Sequence, residues 1–171
     1  MKAMSLLHAQ PYDLDAQGFY FESAEDYAAQ VRNLRNRWNG PVEEFEIQFI
    51  DGDRIDAELF HALRVSQGDV EPFFEALTEW TYEDKTRVII AAGEVGTPFT
   101  LGKDDPLDLD MDLYEVESLR ELAVQFVEEG LFGEIPDAIS CYLDYDAIAR
   151  DLAVDYGSVT IDGRHYAYRS P

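Results

Sequence analysis

Carboxylates outnumber cationic side chains by 36 to 13 in this chain, a formal net charge of -23 over 171 residues. Self-repulsion on that scale opposes compactness, so the elements must combine an apolar face for packing with carboxylates facing water. The excess is also clustered. Asp104, Asp105, Asp108, Asp110, Asp112, Glu115 and Glu117 follow one another with no basic residue among them. Glu121, Glu128, Glu129, Glu134, Asp137, Asp144, Asp146, Asp151 and Asp155 come next, against Arg150 as the base. A surface of this kind repels nucleic acid and attracts proteins built to hold nucleic acid.

Acidic chains of low apolar content stay disordered. Here 46% of residues are hydrophobic and 13% aromatic, enough for packed cores, and the length allows one to three small units. The lone Cys141 excludes an internal disulfide and fits a reducing compartment. No apolar run approaches the roughly 20 residues needed to span a bilayer, and the start is too short in apolar residues for a signal peptide. The expectation is a cytoplasmic protein with no membrane partner. Adaptation to high salt would also enrich acids, and lysine occurs only as Lys2, Lys85 and Lys103. Such an adaptation would be spread over the whole surface instead of clustered.

Gly18-Phe19-Tyr20-Phe21-Glu22 reads as a short aromatic strand. Ser23, with Asp26 three residues on, marks a helix start. Tyr27, Val31, Leu34 and Trp38 at helical spacing carry that helix to a stop at Asn39-Gly40-Pro41. Glu44 to Phe49 alternates as a strand with one buried face does. Helical segments follow from Asp56 to Arg64, Asp69 to Trp80 and Asp84 to Ala92; the second sets Phe73, Phe74, Leu77 and Trp80 against a stripe of Glu71, Glu75 and Glu79. After an irregular connection through Gly96 and Gly102, Ser118 to Gly130 forms an amphipathic helix with Leu119, Leu122, Ala123, Phe126 and Val127 on one face. Pro136 opens a short helical piece, Tyr142 to Ala153 is another helix, and Ser158 to Tyr168 is a hairpin turning at Asp162-Gly163. The expected fold class is α+β, in three units: an N-terminal strand-helix-strand unit (1-54), a central helical unit (55-103), and an acidic C-terminal unit of helices plus a β-hairpin (104-171).

Catalytic and metal chemistry find no support. Asp108, Asp110 and Asp112 occupy positions 1, 3 and 5 of a calcium loop, but the required glycine and bidentate glutamate are replaced by Leu113 and Leu119. His8, His61, His165 and Cys141 are scattered without zinc spacing. No nucleophile elbow, phosphate-cradling loop or dinucleotide fingerprint occurs. The expectation is a protein without catalytic residues, metal or cofactor.

The acid rows have a physical cost. Like charges at i, i+4 destabilise a helix by a few tenths of a kcal/mol per pair, and no row of bases alternates with these. Asp144, Asp151 and Asp155 fall within about 40° of one another on a helix. Any single row reads as a solvated face, but several in one small protein point to a purpose. Duplex DNA carries one charge per roughly 1.7 Å of axis, against one per about 6 Å for a helix with an acid every fourth residue. Several helices and strand edges together are needed to approach that density.

The segment from Leu119 to Pro136, LRELAVQFVEEGLFGEIP, resembles the antirestriction motif of ArdA-type proteins. It continues into Tyr142-Leu143-Asp144-Tyr145-Asp146-Ala147-Ile148-Ala149-Arg150-Asp151-Leu152, similar to that family's Y-x-D-Y-x-A-x-A/G-R-D-L ending. The Phe19 to Phe49 stretch is similar too, through its aromatic strand, acidic helix and Glu-Glu-Phe-Glu-Ile run. The resemblance implies an elongated three-part protein of mobile genetic elements. It implies a DNA mimic that occupies the DNA-binding groove of type I restriction-modification enzymes, and a homodimer joined through its third part. Relatives open with a strand and a turn before the aromatic strand; here the opening is expected to be shortened or rewritten. The acids expected to meet the partner are Glu71, Glu75 and Glu79, those from Asp104 to Glu117, and Glu121, Glu128, Glu129, Glu134, Asp144, Asp146, Asp151 and Asp155. Leu119, Leu122, Phe126 and Val127 are expected to serve packing or dimerisation. The alternatives are an acidic partner of another DNA-binding protein and a solubility-adapted domain with no such partner.

Overall fold

The structure, a computed structural model, describes residues 4–171; Met1, Lys2 and Ala3 of the opening stretch lie outside them. The chain divides into two compact units, the first ending at Leu109 and the second spanning Asp110–Pro171. It is α+β, with an antiparallel three-stranded sheet near each end of the chain and seven α-helices among the described residues.

In the first unit, β1 (Leu6–Pro11) lies between β2 (Phe19–Phe21) and β3 (Phe45–Asp51). Phe45 and Ile47 of β3 are buried while Glu46 and Gln48 stay in water, following the period of two. The central strand corrects the shortened alternative for the opening, because an opening strand is present, and leaves the rewritten one. Its buried residues are Leu7, Ala9 and Pro11, a series with no β-branched or aromatic member to announce a strand. Ala9 stands opposite Phe19 on one side and Ile47 on the other.

The helix α1 (Ala24–Asn33) starts where Ser23 Oγ accepts the Asp26 N–H at 3.1 Å. Tyr27 packs its ring 4.9 Å from that of Phe21. The helix stops short of the expected Trp38, because Leu34 turns extended and the Asn36 side chain engages the next backbone donors. Asn36 Oδ1 accepts the N–H of Trp38 at 3.0 Å and of Gly40 at 2.8 Å, the local competition that Asn offers to helical bonding. Asn36 Nδ2 donates to Asp13 at 2.8 Å, and the Asp15 N–H to the same carboxylate at 2.9 Å. These bonds, the Asn36 one foremost, hold the Asp13 carboxyl below its ordinary pKa.

Next come α2 (Arg54–Leu63), α3 (Val70–Glu79) and α4 (Tyr82–Ile89), the last prolonged by a wide turn at Ile90–Val95. Rings connect them to the sheet: Phe21 to Phe74 at 6.1 Å, Phe74 to Phe73 at 6.3 Å, Phe73 to Phe60 at 5.5 Å, and Phe60 to Phe49 at 5.9 Å. Strands and helices on both sides of position 54 therefore share one core. It also encloses an ion pair between Asp56 of α2 and Lys85 of α4, 0% and 4% exposed. Ser5 Oγ donates to the other Asp56 oxygen at 3.4 Å.

The second unit orders its strands β4 (Asp112–Glu115), β6 (Arg164–Arg169), β5 (Gly157–Ile161). The β5–β6 hairpin turns at Asp162-Gly163, with φ of 50° and 77°, the pair of positive values a two-residue turn of this hand needs. The strand β4 adds to the expected hairpin and makes β6 central. It hides in the acid run because its signal lies in its partner: Asp112 stands opposite Arg169, bonded at 2.9 Å. The helix α5 (Leu119–Glu128) sets Leu122 and Phe126 into a core with Val116, Tyr156 and Ala167, while Leu119 packs against it half-buried. The short α6 (Asp137–Ser140) and α7 (Tyr145–Leu152) complete the unit, α7 opening at Tyr145, three residues after the expected Tyr142, because Asp144 caps the Ala147 N–H at 2.9 Å.

Removing one partner of a buried ion pair costs about 3–5 kcal/mol. Lys85→Ala should destabilise the first unit by that order in urea denaturation, and Asp56→Leu combined with Lys85→Met by much less. Phe126→Ala should cost the second unit about 3–5 kcal/mol. The lowered Asp13 pKa contributes stability that is complete above the ordinary carboxylate value of about 4 and is lost as pH falls through the lowered one. Asp13→Asn should therefore flatten the acid limb of a melting-temperature profile, leaving the neutral region displaced by a constant amount.

Candidate functional site

The acids of the first unit gather around α3. Val70, Phe73, Ala76 and Leu77 face the core, which leaves Glu71, Glu75 and Glu79 as an exposed ridge. Packing of α1 beside α3 creates a groove of about 720 Å³ on one flank, lined by those three with Glu22 and Glu25 and with Tyr27 and Phe74. On the other flank, a groove of about 490 Å³ is lined by Glu75, Glu79, Asp84, Asp104 and Asp105, with Trp80 and one base, Lys103. Asp104 and Asp105 also shape this wall. Asp104 accepts the Thr100 N–H at 2.6 Å and Asp105 the Leu107 N–H at 2.9 Å, yet both stay exposed, as does Asp108.

In the second unit Asp110, Glu115, Glu117, Glu121, Glu128, Glu129, Glu134, Asp144, Asp146, Asp151 and Asp155 are exposed and Asp112 is half-buried. Several have local work. Asp112 binds Arg169, whose guanidinium pKa this bond raises further. Glu115 lies 3.6 Å from Arg164, Glu117 3.8 Å from His165, and Asp146 3.1 Å from Arg120. Glu121 accepts the Glu117 N–H at 2.7 Å ahead of α5. Among the described residues, Asp110, Glu128, Glu134, Asp151 and Asp155 form no ion pair. The expected helical row of Asp144, Asp151 and Asp155 is not on one helix, since Asp144 is the cap of α7 and Asp155 lies beyond its end.

Some placements work against local stability. A helix C-terminus favours cations, but α3 ends on Glu79 and α5 on Glu128 and Glu129, with no base in either last turn. Glu22, Glu25 and Asp84 were beyond reach of the sequence: Glu25 and Asp84 read as helix starts, and only tertiary packing sets them beside the α3 ridge. Leu122 and Phe126 belong to the second core and Leu119 packs against it, while Val127 is half-buried outside that cluster.

Among the described residues no group of three His, Cys, Asp or Glu side chains converges to hold a metal ion. The Asp108, Asp110 and Asp112 series does not close into a cation site. No helix among the described residues is long and apolar enough to cross a membrane. What the surface can do chemically is attract a cationic partner over a broad area.

The sequence model of the family described as Antirestriction protein (ArdA) matches residues 8–166. Comparison with curated proteins finds no match. The family match covers both units and nearly the whole chain. This chain belongs to the ArdA family of antirestriction proteins, non-enzymatic inhibitors directed at restriction enzymes.

Proposed function

We propose that this protein inhibits type I restriction-modification enzymes by occupying their DNA-binding groove as a mimic of DNA, acting as a cytoplasmic homodimer joined through its second unit. The observation that carries the reading is the acid array around α3. Ten helical residues span about 15 Å, and that length of duplex presents about nine phosphate charges. The two grooves flanking α3 are lined by eight acids, Glu22, Glu25, Glu71, Glu75, Glu79, Asp84, Asp104 and Asp105, against the single base Lys103. Negative charge is thus concentrated on and beside one short helix of a protein scaffold. Glu79 and Glu128, set against the dipoles of α3 and α5 with no base in either last turn, support the same reading, because they reduce helix stability.

Exposed apolar side chains favour dimerisation through the second unit. Leu131, Phe132, Ile139, Tyr142 and Val154 are all more than half in water there, and α6 contributes no buried residue. The acids of the second unit that form no ion pair, including Asp110, Glu128, Glu134, Asp151 and Asp155, extend the charged surface. Because recognition is shared among many carboxylates, no single one is essential.

A competition titration tests this. Added to a type I enzyme bound to labelled duplex, the protein should displace DNA at low concentration, less effectively as salt rises, while an unrelated acidic protein of equal charge does not. Glu71→Gln with Glu75→Gln and Glu79→Gln should weaken displacement on the order of tenfold, and each single change only a few-fold. Loss of inhibition on neutralising one exposed acid in a folded variant would overturn the distributed mechanism.

A further inference from the structure

The groove between α1 and α3 differs from the rest of the acid surface in carrying an apolar strip. Tyr27 of α1 and Phe74 of α3 are half-buried in it, and both pack on the ring of buried Phe21, at 4.9 and 6.1 Å. Ala24 and the exposed Ala28 of α1 complete the strip. Carboxylates come to it from both helices: Glu22 and Glu25 at the start of α1, and Glu71, Glu75 and Glu79 along α3. Among the described residues none of these five carboxylates forms an ion pair or a hydrogen bond, and no base lines the groove. The groove on the other flank of α3 contrasts with it. Lys103 lies there, and Asp84, Asp104 and Asp105 each accept a backbone N–H.

Charge alone would draw any cation, and the apolar strip selects among them. From Glu71 through Glu75 to Glu79 the α3 rim advances about 12 Å, a little over two helical turns. An isolated lysine meets one rim and leaves Tyr27, Ala28 and Phe74 in water. An apolar strip with acids contributed from both of its sides is the complement of an apolar stripe flanked by bases. That pattern belongs to a basic amphipathic helix, which docks by laying its apolar face into a groove.

We propose that the groove between α1 and α3 takes a basic amphipathic helical segment of the restriction enzyme. Its apolar side chains lie on Tyr27, Ala28 and Phe74, and its lysines or arginines meet Glu22 and Glu25 on one rim and Glu71, Glu75 and Glu79 on the other. This rests on the inhibition reading above and names the kind of element that the acid ridge receives. The carboxylates supply attraction that salt weakens. The strip supplies affinity that salt leaves intact, a contribution that a row of phosphates does not offer.

Two labelled helical peptides of equal length and charge test the groove by fluorescence anisotropy against the full chain. Both carry two rows of lysines; one has leucines between the rows and the other glutamines. The leucine peptide should bind on the order of tenfold more tightly, the effect of burying part of a leucine side chain. Both should weaken as salt rises, with the preference kept. Ala28→Trp fills the groove without altering charge, at an exposed helix position whose folding a melting temperature checks. It should abolish the preference, whereas the Glu71, Glu75 and Glu79 to Gln variant should weaken both peptides and flatten their salt dependence. Equal binding of the two peptides, or a preference that survives Ala28→Trp, would overturn the proposal. In the competition titration with the type I enzyme, Ala28→Trp should need several-fold more protein for half-displacement. Unchanged potency there would remove the groove from recognition while leaving inhibition standing. Failure of the unaltered protein to displace DNA would overturn the inhibition reading, and with it the assignment of the groove to the enzyme.

Discussion

Keeping carboxylates hydrated is the constraint on which the rest of the structure depends. Among the described residues Asp56 is the single buried acid, and Lys85 is the single buried base that neutralises it. An unpaired charge in that position would cost several kcal/mol, so all other acids stay at or near the surface. Each element can then spare only one face for packing. The cores answer with large rings: Phe21, Phe74, Phe73, Phe60 and Phe49 in the first unit, Tyr114, Phe126 and Tyr156 in the second. An aromatic side chain buries about 150–250 Å², which lets few inward positions stabilise a small unit rich in surface carboxylates.

Charge is left unpaired on the faces that packing does not use. Acids inside cross-strand pairs, such as Asp112 with Arg169, belong to the fold first. Those of the α3 ridge have no such role and repel one another along the helix. The exposed Tyr12, Leu14 and Trp38 at one end of the first sheet are the opposite kind of surface.

How much of this was legible depended on whether the signal was local. The β5–β6 hairpin, the Ser23 cap and the alternation of Phe45 and Ile47 are each written in a few consecutive residues, and each is found where they indicate. The strand β1 lacks β-branched or aromatic inward residues, and β4 is marked only by its cross-strand arginine. The end of α1 was misread for a related reason. Leu34 and Trp38 keep helical spacing, but the Asn36 amide bonds the backbone donors and ejects Trp38 into water, an outcome that periodicity does not record.

The sequence by itself determined the sign and amount of charge, the two-faced character of its helices and strands, the absence of recognisable catalytic motifs and the family. Each of these is carried by residue type and near-neighbour spacing. Only the tertiary structure decided which acids stand together: Glu22 and Glu25 beside the α3 ridge on one flank, Asp84, Asp104 and Asp105 on the other, and Leu14 with Trp38 at one tip. Those groupings join residues far apart in the chain, and proximity between them is created by the packing of α1, α3 and the loops on a shared aromatic core.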